Sequence, residues 1–319
     1  MNVLVPGGCG YVGAMLVPWL LAAGHKVTVY DAMWFGRGHL PGDNGNLTVV
    51  KGDVRYQKLF RKACKGKDAV IYLAGLTKDA MCIAEPLLHD DVNRAAFPNV
   101  LQIAQDEGVK RFIFASSVAA YGSSDDDATE EEALEPTTLY GHAKDHCEAW
   151  LFASRAGSFA ATAVRSASVC GYSPRMRFDT TVNMMTHDAM RRGVITVNGG
   201  KQKRSHIHIK DLCDFYQLLL DVSAERISGQ SFNVVLENQS VMQSAQLVAD
   251  VTGAKIEVHE RTDNRSYTVD GSKAALVLGY APKRTIESAV CDIQSRFDAG
   301  YWKDSATNPD YQNVVSGVL

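Results

Sequence analysis

Short apolar runs and helix-length amphipathic stretches alternate along the first half of this chain. "NVLV" (2–5), "KVTVYD" (26–31), "LTVVKGD" (47–53), "AVIYLAG" (69–75) and "RFIFASS" (111–117) are rich in β-branched and aromatic residues and predict buried strands. Between them, 11–23, about 56–65 and 92–107 carry helical spacing, and "AATAVRSAS" (160–168) predicts one further strand. Strand and helix repeated in this order predict a doubly wound parallel sheet of Rossmann type, covered on both faces.

From about residue 166 the regularity loosens. "GYSPRMRFD" (171–179) reads as a loop, 179–193 as a helix, "HIHIKD" (206–211) as a short strand and 240–253 as a helix, while 256–285 mixes strand-like and loop pieces. The expected division is a first domain of 1–165 with a return at about 206–236. A smaller, interleaved C-terminal lobe takes 166–205 and 237–319. The acidic stretch "SSDDDATEEEALEP" (123–136) reads as a solvated connection.

Composition narrows the classes. The chain has 319 residues, a net charge of -3 and 46% hydrophobic residues. That is an ordinary globular balance, with no field to draw nucleic acid or an anionic membrane. No run of 18 apolar residues marks a membrane span. "AMLVPWLLAAG" lacks the basic flank of a signal peptide. The cysteines are seven, an odd number, with no C-x-x-C pair. They fit reduced core thiols and a cytoplasmic setting.

Chemistry enters first at "VLVPGGCGYVGAML". Gly8, Gly10 and Gly13 form G-x-G-x-x-G, and Gly7, Gly10 and Gly13 form G-x-x-G-x-x-G. The run follows the first strand and opens a helix, which is the context a dinucleotide fingerprint needs. Glycines permit the tight turn and close approach of the pyrophosphate, and the helix N-terminus offers free N–H groups to it. Asp31 ends the next strand, 18 residues after Gly13, where a carboxylate accepts from the adenosine 2'-hydroxyl and repels a 2'-phosphate. Residues 32 to 36 contain no arginine, so NAD is expected rather than NADP, with Arg37 the nearest contrary charge.

A second constellation is "ASSVAAYG" (115–122) followed by "LYGHAK" (139–144). Ser117 ends a strand of the sheet, at the carboxyl edge where ligands bind. On a helix, Tyr140 and Lys144 share one face at i, i+4. His142 and His146 have the same spacing, but no adjacent glutamate and no third ligand accompany them, so no metal is expected. His206 and His208 alternate on a strand and read as structural or nucleotide-adjacent.

With these residues in view, the chain resembles the extended short-chain dehydrogenase/reductase family, specifically its NAD-dependent nucleotide-sugar epimerase/dehydratase group. The likeness runs through the glycine turn, "GDV" (52–54), "LAG" (73–75), "DVN" (91–93), "ASSVAAYG", "YGHAK", "GGKQKR" (199–204) with "HIHIKD", and "DGSKA" (270–274). It implies Tyr140 as catalytic acid/base, Lys144 as its partner and ribose anchor, and Ser117 as hydrogen-bond donor to the reacting sugar oxygen. It implies cofactor contacts at Gly7, Gly10, Tyr11, Val12, Gly13, Asp31, Asp53, Val54, Leu73, Ala74, Gly75 and Asn93, besides Tyr140 and Lys144. For a nucleotide-diphosphate sugar it implies Asn183, Arg204 and Arg265 in the second lobe, with Arg175 and Arg177 in a loop that could close over the sugar. A free tyrosine side chain ionises near pH 10, so base work near neutrality requires about 4 kcal/mol. An ammonium about 4 Å away supplies on the order of 4 kcal/mol at an effective dielectric of 20.

The two residues after the serine sort the chemistries within this family. Sugar 4,6-dehydratases carry Asp-Glu there, and decarboxylases usually keep the glutamate. This chain has Val118 and Ala119, which transfer no protons. The expectation is hydride chemistry at C4, foremost a nucleotide-sugar 4-epimerase. A 4-dehydrogenase or 4-ketoreductase is the close alternative, and a non-catalytic NAD-binding interaction protein the remote one. The "SVCGYSP" segment (168–174) departs from the family's Asn-Val-Tyr-Gly-Pro and leaves the shape of the sugar pocket open. Family members commonly pair through the Tyr/Lys helix and the one before it. A homodimer is therefore expected, with Ala143, Cys147, Trp150 and Leu151 as a possible apolar stripe that the core would equally accept.

Overall fold

The computed structural model describes residues 1–42, 45–123, 126–154, 157, 159–260 and 266–313. Its strands are β1 (Asn2–Pro6), β2 (Lys26–Asp31), β3 (Leu47–Lys51), β4 (Ala69–Tyr72), β5 (Arg111–Ser117), β6 (Ala160–Ser166), β7 (Ser168–Cys170), β8 (Val194–Asn198), β9 (Lys203–His208), β10 (Gln230–Val234), β11 (Glu237–Ser240) and β12 (Lys255–His259). Seven of them form one sheet in the order β10-β6-β5-β4-β1-β2-β3, every pairing parallel. The order reverses between β1 and β4, so a crevice opens beyond their carboxyl ends, where open α/β sheets bind ligands.

The helices are α1 (Tyr11–Ala22), α2 (Gln57–Cys64), α3 (Asp79–Ala84), α4 (Pro86–His89), α5 (Phe97–Asp106), α6 (Leu139–Ala153), α7 (Thr181–Arg192), α8 (Ile209–Asp221), α9 (Val241–Thr252), α10 (Ser272–Leu278) and α11 (Ile286–Asp298). Alternation along β1 shows how the sheet is covered. Val3 and Val5 join the core formed with Leu16 and Leu20 of α1 and Phe215 and Leu219 of α8. Leu4 points the other way, into a core with Phe60 of α2, Phe97 of α5 and Leu151 of α6. Successive strand side chains face opposite sides, and each side meets a helical layer. Each such apolar side chain contributes about 1.5–3 kcal/mol on burial.

The expected strands of the large sheet are present, and β10 is the late return. The stretch read as one helix at 92–107 is instead a π-helical turn, Asp90–Ala95, followed by α5, whose Pro98 lies in the first turn, where its missing N–H costs nothing. "HIHIKD" divides in two. His208 ends β9, and its imidazole accepts from Lys210 N at 3.1 Å, capping α8.

A second layer of structure holds β7, β9 and β11 in one small sheet and β8 with β12 in another. Helices α7, α9 and α11 pack over them through Val182, Met185, Val248 and Val290. The short strands 168–170, 194–198 and 237–240 and the helix α11 escaped the sequence pattern. Of the seven cysteines only Cys291 is exposed. Among the described residues no helix is long and apolar enough to cross a membrane.

Candidate active site

The glycine turn is shaped by three different close approaches. Gly7 has φ +82, and a β-carbon there would lie 2.5 Å from Ala74 N, so the turn rests directly on the chain leaving β4. A β-carbon on Gly13 would lie 2.5 Å from Gly8 Cα, so the first turn of α1 is seated on the glycine loop itself. At Gly10 the nearest atom to such a carbon is Gly7 O at 3.3 Å, and this glycine lines the cavity. Gly10 is the residue that opens α1, with no side-chain cap. The N–H groups of Tyr11, Val12 and Gly13 have no acceptor within the helix and offer an anion site.

Asp31 ties this turn to β2. Its carboxylate accepts from Cys9 N at 2.9 Å and from Met33 N at 2.7 Å. Burial pushes its pKa upward while the two backbone bonds hold it back. Asp53 has its carboxylate on Arg55 at 2.7 Å, and its carbonyl accepts from the Tyr30 hydroxyl at 2.8 Å. Gly52 was not foreseen: a β-carbon there would lie 2.4 Å from the Tyr30 ring. "GDV" thus holds its glycine for that aromatic neighbour.

Ser117 ends β5, and its hydroxyl accepts from Ala119 N at 3.2 Å. Thr138 caps α6 by accepting from Gly141 N at 3.1 Å. Gly141 brings this helix close, since a β-carbon on it would lie 2.6 Å from Ala119 O. Lys144 is buried. Its ammonium donates to Ala115 O at 2.6 Å, lies 4.6 Å from the Phe114 ring centre and 5.3 Å from that of Tyr140.

These groups share one cavity of about 500 Å³, into which Gly7, Gly10, Tyr11, Val12, Gly13 and Asp31 also open. Asp53, Val54, Leu73, Ala74 and Gly75 line it too. The residues present fit a dinucleotide: a glycine cradle at a helix N-terminus, a carboxylate at the end of β2, and a lysine beside a tyrosine near the end of β5.

Arg177 and Arg204 line the same cavity. The Arg177 fork is already on Asp179, at 2.5 and 3.3 Å, and Lys78 stands 3.8 Å from the same carboxylate. The Arg204 guanidinium lies 4.9 Å over the Tyr267 ring.

Three expected contact residues do not line the cavity. Asn93 exchanges two 2.7 Å hydrogen bonds with the Leu76 backbone, so its amide braces the loop after β4. Asn183 accepts from Gly171 N and donates to the Tyr11 hydroxyl and Arg177 O, each at 3.0 Å. Arg175 lies 3.9 Å over the Phe35 ring and donates to Asp310 O at 3.1 Å. Burial and the neighbouring Arg177 lower its pKa to about 10. Asn93 and Asn183 support the wall from behind, because their polar atoms find protein partners, whereas Arg175 keeps its Nη1 buried without a hydrogen-bond partner among the described residues. Arg265 falls outside the described residues. The stripe on α6 resolves in favour of the core: Ala143, Cys147 and Leu151 are buried and Trp150 packs against that core. His142 and His146 are exposed on the opposite face.

The family model described as the NAD dependent epimerase/dehydratase family matches residues 3–234. The chain belongs to that family. It is similar to the UDP-glucose 4-epimerase of Lactobacillus helveticus, 28% identical over 314 residues, covering 89% of this chain and 92% of that protein. Among solved structures it is similar to MoeE5 in complex with UDP-glucuronic acid and NAD, at 25% identity and TM-score 0.83, covering 94% of this chain and 100% of that one. The UDP-glucose 4-epimerase of Thermotoga maritima with UDP-glucose matches at 25% identity and TM-score 0.82, covering 94% and 99%. As a member of this family the chain is an NAD-dependent enzyme with a Rossmann-type fold.

Proposed function

We propose that this enzyme is a nucleotide-sugar 4-epimerase, with Ser117, Tyr140 and Lys144 as its reacting set. The observation that carries the reading is that Ser117, Tyr140, Lys144 and the glycine cradle line one cavity, while Val118 and Ala119, also lining it, offer no proton-transfer group. Bound NAD supplies a reversible acceptor for the C4 hydride. Tyr140 takes the proton of the C4 hydroxyl and gives one back, Ser117 holds the reacting oxygen, and Lys144 stabilises the negative charge on the phenolic oxygen. Elimination of water across C5 and C6 demands an acid and a base that Val118 and Ala119 do not supply. Lysine ordering is also served by its bond to Ala115 O, which fixes the ammonium on the sheet edge.

The nucleotide diphosphate is assigned to the second lobe, with Arg204 the foremost residue, because its planar fork donates bidentate bonds to phosphate. Arg177 enters as an Arg177–Asp179 pair, presenting both a donor and an acceptor to sugar hydroxyls. A homodimer through the outer faces of α5 and α6 would use His142, His146, Ala149 and Ala153 rather than the buried stripe. Sedimentation showing only a 34.8 kDa species eliminates it.

The deciding experiment incubates NAD-loaded protein separately with UDP-, dTDP-, ADP- and GDP-hexoses, following sugar configuration by NMR and absorbance at the reduced-nicotinamide band. Interconversion at C4 without net reduced cofactor supports the reading. Stoichiometric accumulation of free NADH replaces it with a 4-dehydrogenase.

A further inference from the structure

The chain beyond α11 does not end at the edge of the second lobe. It runs back across the crevice in a series of turns. Trp302 packs edge-on against Phe178 at 5.2 Å, and Ser305 meets the His187 ring at 3.1 Å. Further on, Phe178 N donates to Tyr311 O at 2.7 Å, and Arg175 donates to Asp310 O at 3.1 Å. The segment is thereby fastened to the loop at 171–179.

That loop is itself fastened to the opening turn of α1. The Tyr11 hydroxyl donates to Gly171 O at 2.6 Å, and the Ser173 hydroxyl donates to Tyr11 O at 2.7 Å. The final described residues then reach the other bank of the crevice. Lys78 donates through its ammonium to Gln312 O at 3.2 Å, and the Asn313 amide donates to the Thr77 hydroxyl at 3.0 Å. Asn313 has φ +54, a left-handed conformation that asparagine tolerates better than most residues, and its side chain faces the cavity wall with Thr77.

The banks joined in this way are the chains leaving β1 and β4, the adjacent strands at the switch point. A dinucleotide lying on the glycine cradle passes between them. We infer that Pro309–Asn313 is a latch over the cofactor crevice, closed by Asn313–Thr77 and Lys78–Gln312, and that it slows release of the dinucleotide. This deepens the epimerase reading, because an enzyme that returns the hydride it removed must keep its dinucleotide between the two transfers. No residue of the latch touches reacting atoms, so Asn313 and Lys78 are positioning residues.

The test measures dinucleotide release directly. NADH-loaded protein is mixed with excess NAD in a stopped-flow instrument, and loss of bound-nicotinamide fluorescence gives the dissociation rate. The variants are a chain ending at Asn308, Asn313→Ala and Lys78→Met. One hydrogen bond is worth roughly a two- to tenfold change in an equilibrium. Asn313→Ala and Lys78→Met should therefore each release NADH about fivefold faster, and the shortened chain more than tenfold faster. Association should quicken by a similar factor, because a latch closed in the empty protein gates entry as well as exit, while far-ultraviolet circular dichroism should match the parent. Release within twofold of the parent in both point variants overturns the latch, whether or not the shortened chain folds. The outcome separates from the reaction assignment: fast-releasing variants of a chain that epimerises nothing sink the epimerase alone, and slow-releasing variants of an active epimerase sink the latch alone.

Discussion

Beneath the reacting residues lies an ion pair whose removal should be costly in a specific way. Glu148, four residues after Lys144 on α6, meets Arg165 of β6 through contacts of 2.7, 3.1 and 3.1 Å. Their side chains are 3% and 6% exposed. The Ser116 hydroxyl also donates to Glu148, and Arg165 donates to the Tyr121 hydroxyl at 2.7 Å, which passes on to Asn233 at 2.9 Å. Arg165→Met keeps the apolar stem and strands a carboxylate in the core, with one hydroxyl as its remaining hydrogen-bond donor. Breaking a buried pair from one side costs about 3–5 kcal/mol, a large share of a total stability of about 5–15 kcal/mol. Replacing both partners, Glu148→Met with Arg165→Met, removes the orphaned charge. What remains is the loss of one partner at Ser116 and one at Tyr121, about 1 kcal/mol each, so the double variant should lose only about 2 kcal/mol. Urea unfolding followed by circular dichroism reads all four proteins, with linear extrapolation and a check that the slopes agree. The double variant should be more stable than Arg165→Met alone, a coupling that closes the mutant cycle. A loss under 1 kcal/mol in Arg165→Met, or a double variant at least as unstable as the sum of the singles, refutes the reasoning.

Tyr140→Phe should lower kcat by about 10²–10⁴-fold while NAD still binds with parental fluorescence, and a kcat within tenfold of the parent removes the acid/base assignment. Gly7→Ala, with φ +82 and a 2.5 Å approach to Ala74, should destabilise the fold by about 1–3 kcal/mol. Gly10→Ala, which meets nothing closer than 3.3 Å, should fold normally and lose NAD affinity more than tenfold. Equal melting temperatures for the two contradict the different roles given to these glycines. Burial, with Arg204 nearby, lowers the His206 pKa from 6.5 to about 4. The unfolded chain therefore takes up a proton as pH falls below 6.5, while the folded chain resists until about 4. The stability this histidine preserves is complete above pH 6.5 and declines between these values by about 1.4 kcal/mol per pH unit. His206→Gln should flatten the fall of urea stability from pH 6.5 to 5 by that amount, and an unchanged slope argues against a neutral buried ring.

The sequence by itself determined whatever depends on spacing along the backbone. Strand periodicity fixed the order of β1 to β6. The glycines at 7, 10 and 13 placed an anion cradle at a helix start, and the four-residue step from Tyr140 to Lys144 put a cation on the phenol's side of α6. Those relations follow from the geometry of strands, turns and helices within a few residues. Tertiary structure alone decided which polar groups remain for a ligand. Asn183 is spent on Tyr11, 172 residues away, and Arg175 donates to the Asp310 carbonyl, 135 residues away. Asn313 crosses 236 residues of sequence to reach Thr77. A side chain's availability is a sum over every partner that packing brings within about 3 Å, and residues so far apart in sequence meet only when the whole chain has closed around its core.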